Sequence, residues 1–152
     1  MKTTFDTLRS GRKAAMMILE HFSIKQVNQI PEGFNNNLVW NAGHIVSVQE
    51  ALTYGLSGLR WTAPKEIVKG FRKDSKPEGV IDSENFKVIT TELMTSIDRL
   101  EQNYNDGLFK EYQEFITLTG HKLTNIEEAI QFNIFHEGLH LGYMMSIKKF
   151  LK

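Results

Sequence analysis

Only three prolines, Pro31, Pro64 and Pro77, interrupt this chain of 152 residues. A proline inside a helix removes one backbone donor and clashes with the carbonyl four residues back. Long proline-free intervals with apolar residues at the 3.6-residue period are therefore predicted helices. In the first interval Leu8, Ala15, Leu19 and Phe22 recur on one face, with Arg9, Lys13 and Glu20 off it, which predicts a helix over 3–27. Ile30-Pro31-Glu32-Gly33 ends it. A second helix starts among Asn35, Asn36 and Asn37, good capping residues, and runs to about Leu56, where Gly55 and Gly58 weaken it. A third spans 82–105 on the stripe Phe86, Ile89, Leu93, Ile97, Leu100 and Tyr104, and Asn105-Asp106-Gly107 stops it. The fourth opens on a capping box, Thr124-x-x-Glu127, and continues to about Phe150. Four amphipathic helices with few breakers favour an all-α bundle, read as one domain over 1–152.

Two stretches fall outside this pattern. Residues 57–81 form a long connection between the second and third helices, with a short helical turn expected around 64–69. Its aromatics, Trp61 and Phe71, are expected to pack onto the bundle, over the mouth of a pocket or at a dimer contact. Residues 108–123 are ambiguous; Phe115 to Gly120 alternates weakly and suits a short strand or hairpin arm.

Composition excludes several functions. Lys plus Arg equals Asp plus Glu at 18 each, so no basic face is available for a nucleic-acid backbone. No apolar run approaches the roughly 20 residues of a membrane span, and the N-terminus turns polar too early for a signal peptide. The chain has no cysteine, which excludes disulfides, thiolate ligands and a cysteine nucleophile, and fits a cytoplasmic protein. Any metal would be held by nitrogen and oxygen.

The chemistry concentrates in His136-Glu137-Gly138-Leu139-His140. Two histidines four apart on a helix lie about one turn apart and about 40° apart in azimuth, so their imidazoles can converge on one ion. Ala129, Phe132, Tyr143 and Ile147 share their face, which makes that face inward. On the second helix His44 lies on the face of Asn37, Trp40, Val48, Ala51 and Gly55, also inward. Three inward imidazoles are either hydrogen-bonded core residues or a three-nitrogen metal site. The string also fits the H-E-x-x-H motif of zinc peptidases, with Glu137 as general base. Those enzymes take a third ligand downstream, whereas Leu141 to Lys152 holds no His, Asp, Glu or Cys. Glu137 is then expected to be a solvated residue on the flank of the helix. His21, ending the first helix, and His121, beside Gly120, read as surface or structural residues.

Trp40-Asn41-Ala42-Gly43-His44-Ile45 resembles the W-x-x-G-H-hydrophobic segment of the DinB-like superfamily. His136-x-x-x-His140-x-Gly142 resembles its closing H-x-x-x-H-x-G element. The order, the separation and the four-helix pattern extend the resemblance over essentially the whole chain. It implies an up-down-down-up four-helix bundle with a divalent metal held by three histidines, often as a homodimer. On it His44, His136 and His140 carry over as ligands, and Gly142 as the small residue after them. Where members commonly have Gln after that glycine, this chain has Tyr143 and Met144. The superfamily includes thiol-dependent S-transferases and a mycothiol-dependent maleylpyruvate isomerase.

Three neutral imidazoles leave a coordination position for water or substrate. A metal there could lower the pKa of a low-molecular-weight thiol and present a thiolate, or ionise water for hydrolysis. Zinc, nickel and iron all suit histidine and water ligands. Asn41 and Trp40 on the His44 face, and Tyr143 beside the histidine stripe, are candidate pocket residues. Asn37 is a cap, Asn41 either a cap or an orienting group, and Tyr143, Trp40 and Phe132 more readily walls than reactants. The expectation is thus a metal-binding, small-molecule enzyme with thiol S-transfer preferred. Its rivals are a non-catalytic metal-stapled bundle or interaction module, and a metal-dependent hydrolase. The expected partners are a small-molecule substrate and a second copy of the chain, with neither nucleic acid nor membrane.

Overall fold

The computed structural model describes residues 1–151. Six α-helices dominate it: α1 (Lys2–Glu20), α2 (Ile24–Val27), α3 (Leu38–Glu50), α4 (Lys65–Gly70), α5 (Ser83–Asn105) and α6 (Ile126–Ile147). A two-residue strand β1 (Phe115–Ile116) pairs antiparallel with β2 (Lys122–Leu123), Phe115 opposite Leu123. The fold is all-α apart from this hairpin. Among the described residues no helix is long and apolar enough to cross a membrane.

Local chemistry sets the helix ends. The helix expected over 3–27 is two helices. His21 closes α1, and Ser23 then caps α2 in a reciprocal box with Gln26, supplying the partners that continuous helix would otherwise provide. Asn37 caps α3 by accepting from the Trp40 amide. That helix runs into one π turn, Ala51–Gly55. Asp82 caps α5, and Gly107, at φ +68°, takes the left-handed conformation beyond its end. The cap of α6 lies one residue later than the sequence suggests. Asn125 accepts from the Glu128 amide, and Glu128 reaches back to the Thr124 amide and hydroxyl. Glu127 instead accepts a hydrogen bond from the Tyr104 hydroxyl. α6 gives way to a 3₁₀ turn over Lys148–Phe150.

The four long helices pack so that α1 and α3 each touch both α5 and α6. Between them lie two apolar clusters. One contains Ala15 and Leu19 of α1, Ala42 and Ile45 of α3, Leu93 of α5 and Met144 of α6. The other contains Phe5 and Leu8, Tyr54, Ile97 and Leu100, and Ile130. A polar layer lies between these clusters along every helix. Arg12 of α1 donates to both oxygens of Glu137 on α6, at 3.1 and 2.6 Å, to Gln49 Oε1 on α3, and to the Leu93 carbonyl and Ser96 hydroxyl on α5. One guanidinium thus ties all four helices.

The connection from α3 to α5 lies on the bundle. Buried Glu50 accepts from the Thr62 amide and hydroxyl, and α4 packs on α3. Phe71, just after α4, seats its ring over Gly43. A Cβ at Gly43 would lie 2.5 Å from that ring, so only glycine permits this approach. A Cβ at Gly142 would meet nothing within 4 Å among the described residues, so no contact with them explains that glycine.

Candidate metal centre

His44 on α3 and His136 and His140 on α6 meet in one cluster. Each offers a ring nitrogen such that the three nitrogens lie within 4.8 Å of one another. Ring centroids are 5.3 Å apart for His44–His136, 4.7 Å for His44–His140 and 4.6 Å for His136–His140. The i, i+4 spacing on α6 supplies two imidazoles on one face, and the packing of α3 against α6 brings the third.

The hydrogen bonds fix which nitrogen is free. His44 Nδ1 lies 2.7 Å from the Phe71 carbonyl, which can only accept, so Nδ1 carries the proton and Nε2 the lone pair. His140 Nδ1 lies 2.8 Å from Asn41 Oδ1. The Asn41 amide is held in that orientation because its Nδ2 donates to the Asn37 carbonyl and to Asn36 Oδ1. His140 therefore also keeps its proton on Nδ1 and offers Nε2. A histidine donating one ring N–H to a carbonyl or amide oxygen, with the other nitrogen aimed at a common point, is the arrangement that orients metal ligands. Trp40 stacks on His44, with centroids 4.6 Å apart and planes 13° from parallel, and fixes the ring plane.

His136 differs. Its Nδ1 is buried and has no partner. A buried polar atom left unpaired costs about 1–3 kcal/mol. The donor set fits a divalent transition metal: three neutral nitrogens within 4.8 Å of one another, two of them on rings already oriented. Burial pushes all three imidazoles down from their ordinary pKa. For His44 the hydrogen bond to Phe71 opposes the shift. His140 falls to about 4, through burial and then through the proximity of His44. His136 falls to about 3, through burial and then through His140 and His44. At neutral pH all three are uncharged, as ligation requires.

The cluster opens onto a cavity of about 720 Å³, within the size range of small-molecule sites. Its walls come from α3, α4 and the residues after it, the hairpin and α6. Of the sequence candidates, Asn41 and Trp40 act on His140 and His44 directly and are not wall residues. Tyr143 does not line the cavity. It is 37% exposed and packs edge-on against Phe34, with centroids 5.4 Å apart, so the expectation of a pocket or core tyrosine is corrected. Phe132 and Trp61 do line it. His21 and His121 are exposed, His121 stacked on Phe132.

Glu137 also corrects the sequence reading. It is 5% exposed, not solvated, and both its oxygens are taken by Arg12. Neither remains free to activate water, which removes the physical basis of the peptidase motif. Sequence reading missed Arg12, although a signal existed: Leu8, Arg12, Ala15 and Leu19 follow one another at helical spacing, so Arg12 sits within the apolar stripe. It also missed the Phe71 carbonyl, a backbone group that leaves no mark on residue type.

No curated protein matches the chain in sequence. The family description "DinB superfamily" matches residues 7–144, a span that holds α3, α5, all three histidines, Asn41 and Gly142. The chain belongs to the DinB superfamily.

Proposed function

We propose that this chain binds one divalent transition metal through His44, His136 and His140 and uses it in small-molecule chemistry of the thiol S-transferase type. The observation that carries the reading is the convergence of one nitrogen from each of the three imidazoles within 4.8 Å, on rings of which two are already oriented by Phe71 and Asn41. Bound there, a zinc, nickel or iron ion would acidify a coordinated low-molecular-weight thiol. The chain's own residues do the rest. Phe71 and Asn41 hold the protons of His44 and His140 on Nδ1, and Trp40 holds the His44 ring plane. The apolar walls offer packing surface to an electrophile placed in the cavity.

No Asp or Glu is among the described residues lining the cavity, so no carboxylate base stands ready there for a free water or a free thiol. A metal at the three histidines would acidify a bound thiol or a bound water alike, and thiol transfer is preferred on the family resemblance. The cavity opening on the histidines favours small-molecule chemistry over a metal that only staples helices.

The bundle is read as up-down-down-up. Its support is the order in which each helix passes the two apolar clusters: α1 and α6 run from the Phe5 cluster to the Ala15 cluster, and α3 and α5 run the other way. A cytoplasmic homodimer completes the proposal. The dimeric part of this reading rests on the family resemblance, with Met145 of α6 exposed outside the cavity lining.

Elemental analysis of tag-free protein tests the centre. About one transition metal per chain is expected, lost in His44→Ala and His136→Ala while helix content is retained. Unchanged metal content in either variant would refute the ligand set. Thiol-dependent conjugation of a model electrophile, absent after chelation and restored by metal, tests the reaction.

A further inference from the structure

The cavity over the histidines has two kinds of wall, and together they specify a ligand class. One wall is apolar and incompletely covered: Leu118 is 86% exposed, Leu139 56%, Phe135 49% and Trp61 40%. The other carries Lys69, Arg72 and Lys73, from the end of α4 and the residues after it. No acidic residue is among the described residues that line the cavity. The chain as a whole is electrically neutral, so this is a local excess of three positive charges.

The cations are only weakly engaged. Arg72 donates one guanidinium N–H to the Lys69 carbonyl, and Lys73 lies 3.5 Å from the exposed Asp74. Lys69 has no ion-pair partner among the described residues. A neutral apolar ligand would leave this charge unanswered, and a cationic one would be repelled. An anion without an apolar body would leave the aromatic and leucine wall in water.

We infer that the cavity binds an anionic amphiphile, with its apolar body on the Phe135–Leu139 wall and its charged head against Lys69, Arg72 and Lys73. This deepens the proposed function, and rests on it for the reaction served. Charge complementarity selects this occupant over a second copy of the chain, whose apolar contact would leave the cations unmatched.

Calorimetric titration of zinc-reconstituted protein with octanoate, 1-octanol and octylammonium tests the inference, with zinc content measured on the same samples. Octanoate should bind tightest, and Lys69→Glu with Lys73→Glu should weaken it about tenfold while leaving 1-octanol unchanged. Both lysines are exposed, so the double variant is expected to fold. Added salt should weaken octanoate alone. Equal binding of octanoate and 1-octanol would overturn the inference. So would octanoate binding that ignores the lysine changes but vanishes in His44→Ala, which would put the carboxylate on the metal. Absence of binding by all three would overturn it too, and in a chain that sediments as a dimer would assign the apolar wall to a second copy. Failure of selectivity with one zinc per chain sinks this inference alone. Octanoate selectivity without zinc sinks the metal reading and leaves this one standing.

Discussion

Asn41 illustrates how much of the candidate centre depends on residues beside the three histidines. Its Nδ2 is committed to Asn36 and Asn37, so its Oδ1 has one role, to accept the proton of His140. Asn41→Ala should leave three histidines in place but free the His140 ring to turn and to change tautomer. Metal affinity is expected to fall about 10- to 100-fold, read by competition with a chromophoric chelator. An unchanged affinity would mean that packing, not Asn41, orients the ring. Much of this site was legible in sequence because its parts are residue types at a helical period: His136 and His140 four apart, and His44 on the apolar face of another helix. The role of Asn41 was left open between cap and orienting group because that choice depends on a contact 99 residues away. Glu137 was misread because the face of a helix does not reveal a counter-ion on another helix. The buried position of Arg12 was written into its spacing, and only its charge argued against that position.

At the scale of the elements, the Arg12 layer is the joint between α1, α3, α5 and α6. Burying a charge is costly unless it is paired and fully hydrogen-bonded, and this one meets both conditions with five contacts. Arg12→Ala would leave Glu137 buried without its counter-ion. That should destabilise the fold by about 3–5 kcal/mol, measured by urea unfolding. Arg12→Met combined with Glu137→Met removes both charges and should recover much of the loss. If the double variant is as unstable as the single one, the layer contributes through shape and not through charge pairing. Glu137→Gln by itself keeps hydrogen bonding to Arg12 and is expected to retain metal, since the carboxylate touches none of the three imidazoles. Element boundaries were legible where a cap or breaker was strong, as at Asn37 and Gly107. They were missed where two caps competed. Ser23 with Gln26 split the first helix although the apolar stripe runs through it, and Asn125 displaced Thr124 because its side chain reaches the Glu128 amide.

For the whole molecule, the helical pattern was legible, and the cavity was not. Its walls are drawn from segments around residues 44–52, 61–73, 115–119 and 132–140, which no periodicity relates. The same assembly buries three imidazoles together, and this gives the chain a pH dependence of known sign. In the unfolded chain each histidine takes up a proton near its ordinary value of about 6.5. In the folded chain His140 does so only at about 4 and His136 at about 3, with His44 also lowered, chiefly by burial. Between these limits the unfolded state binds more protons than the folded one, so stability rises with pH there. The contribution is fully present above about 6.5 and is lost progressively as pH falls toward 4. The melting temperature of metal-free protein should therefore drop across that window. The drop should be shallower in His136→Gln, which removes the most strongly depressed group. A metal held jointly by the three imidazoles would favour the folded state that brings them together, so zinc reconstitution at pH 7 should raise the melting temperature of the native chain and not that of the His136→Gln variant. A metal-free chain whose stability is flat from pH 7 to 4 would show that the imidazoles are solvated and apart in solution, and the three-histidine cluster would fall with that result.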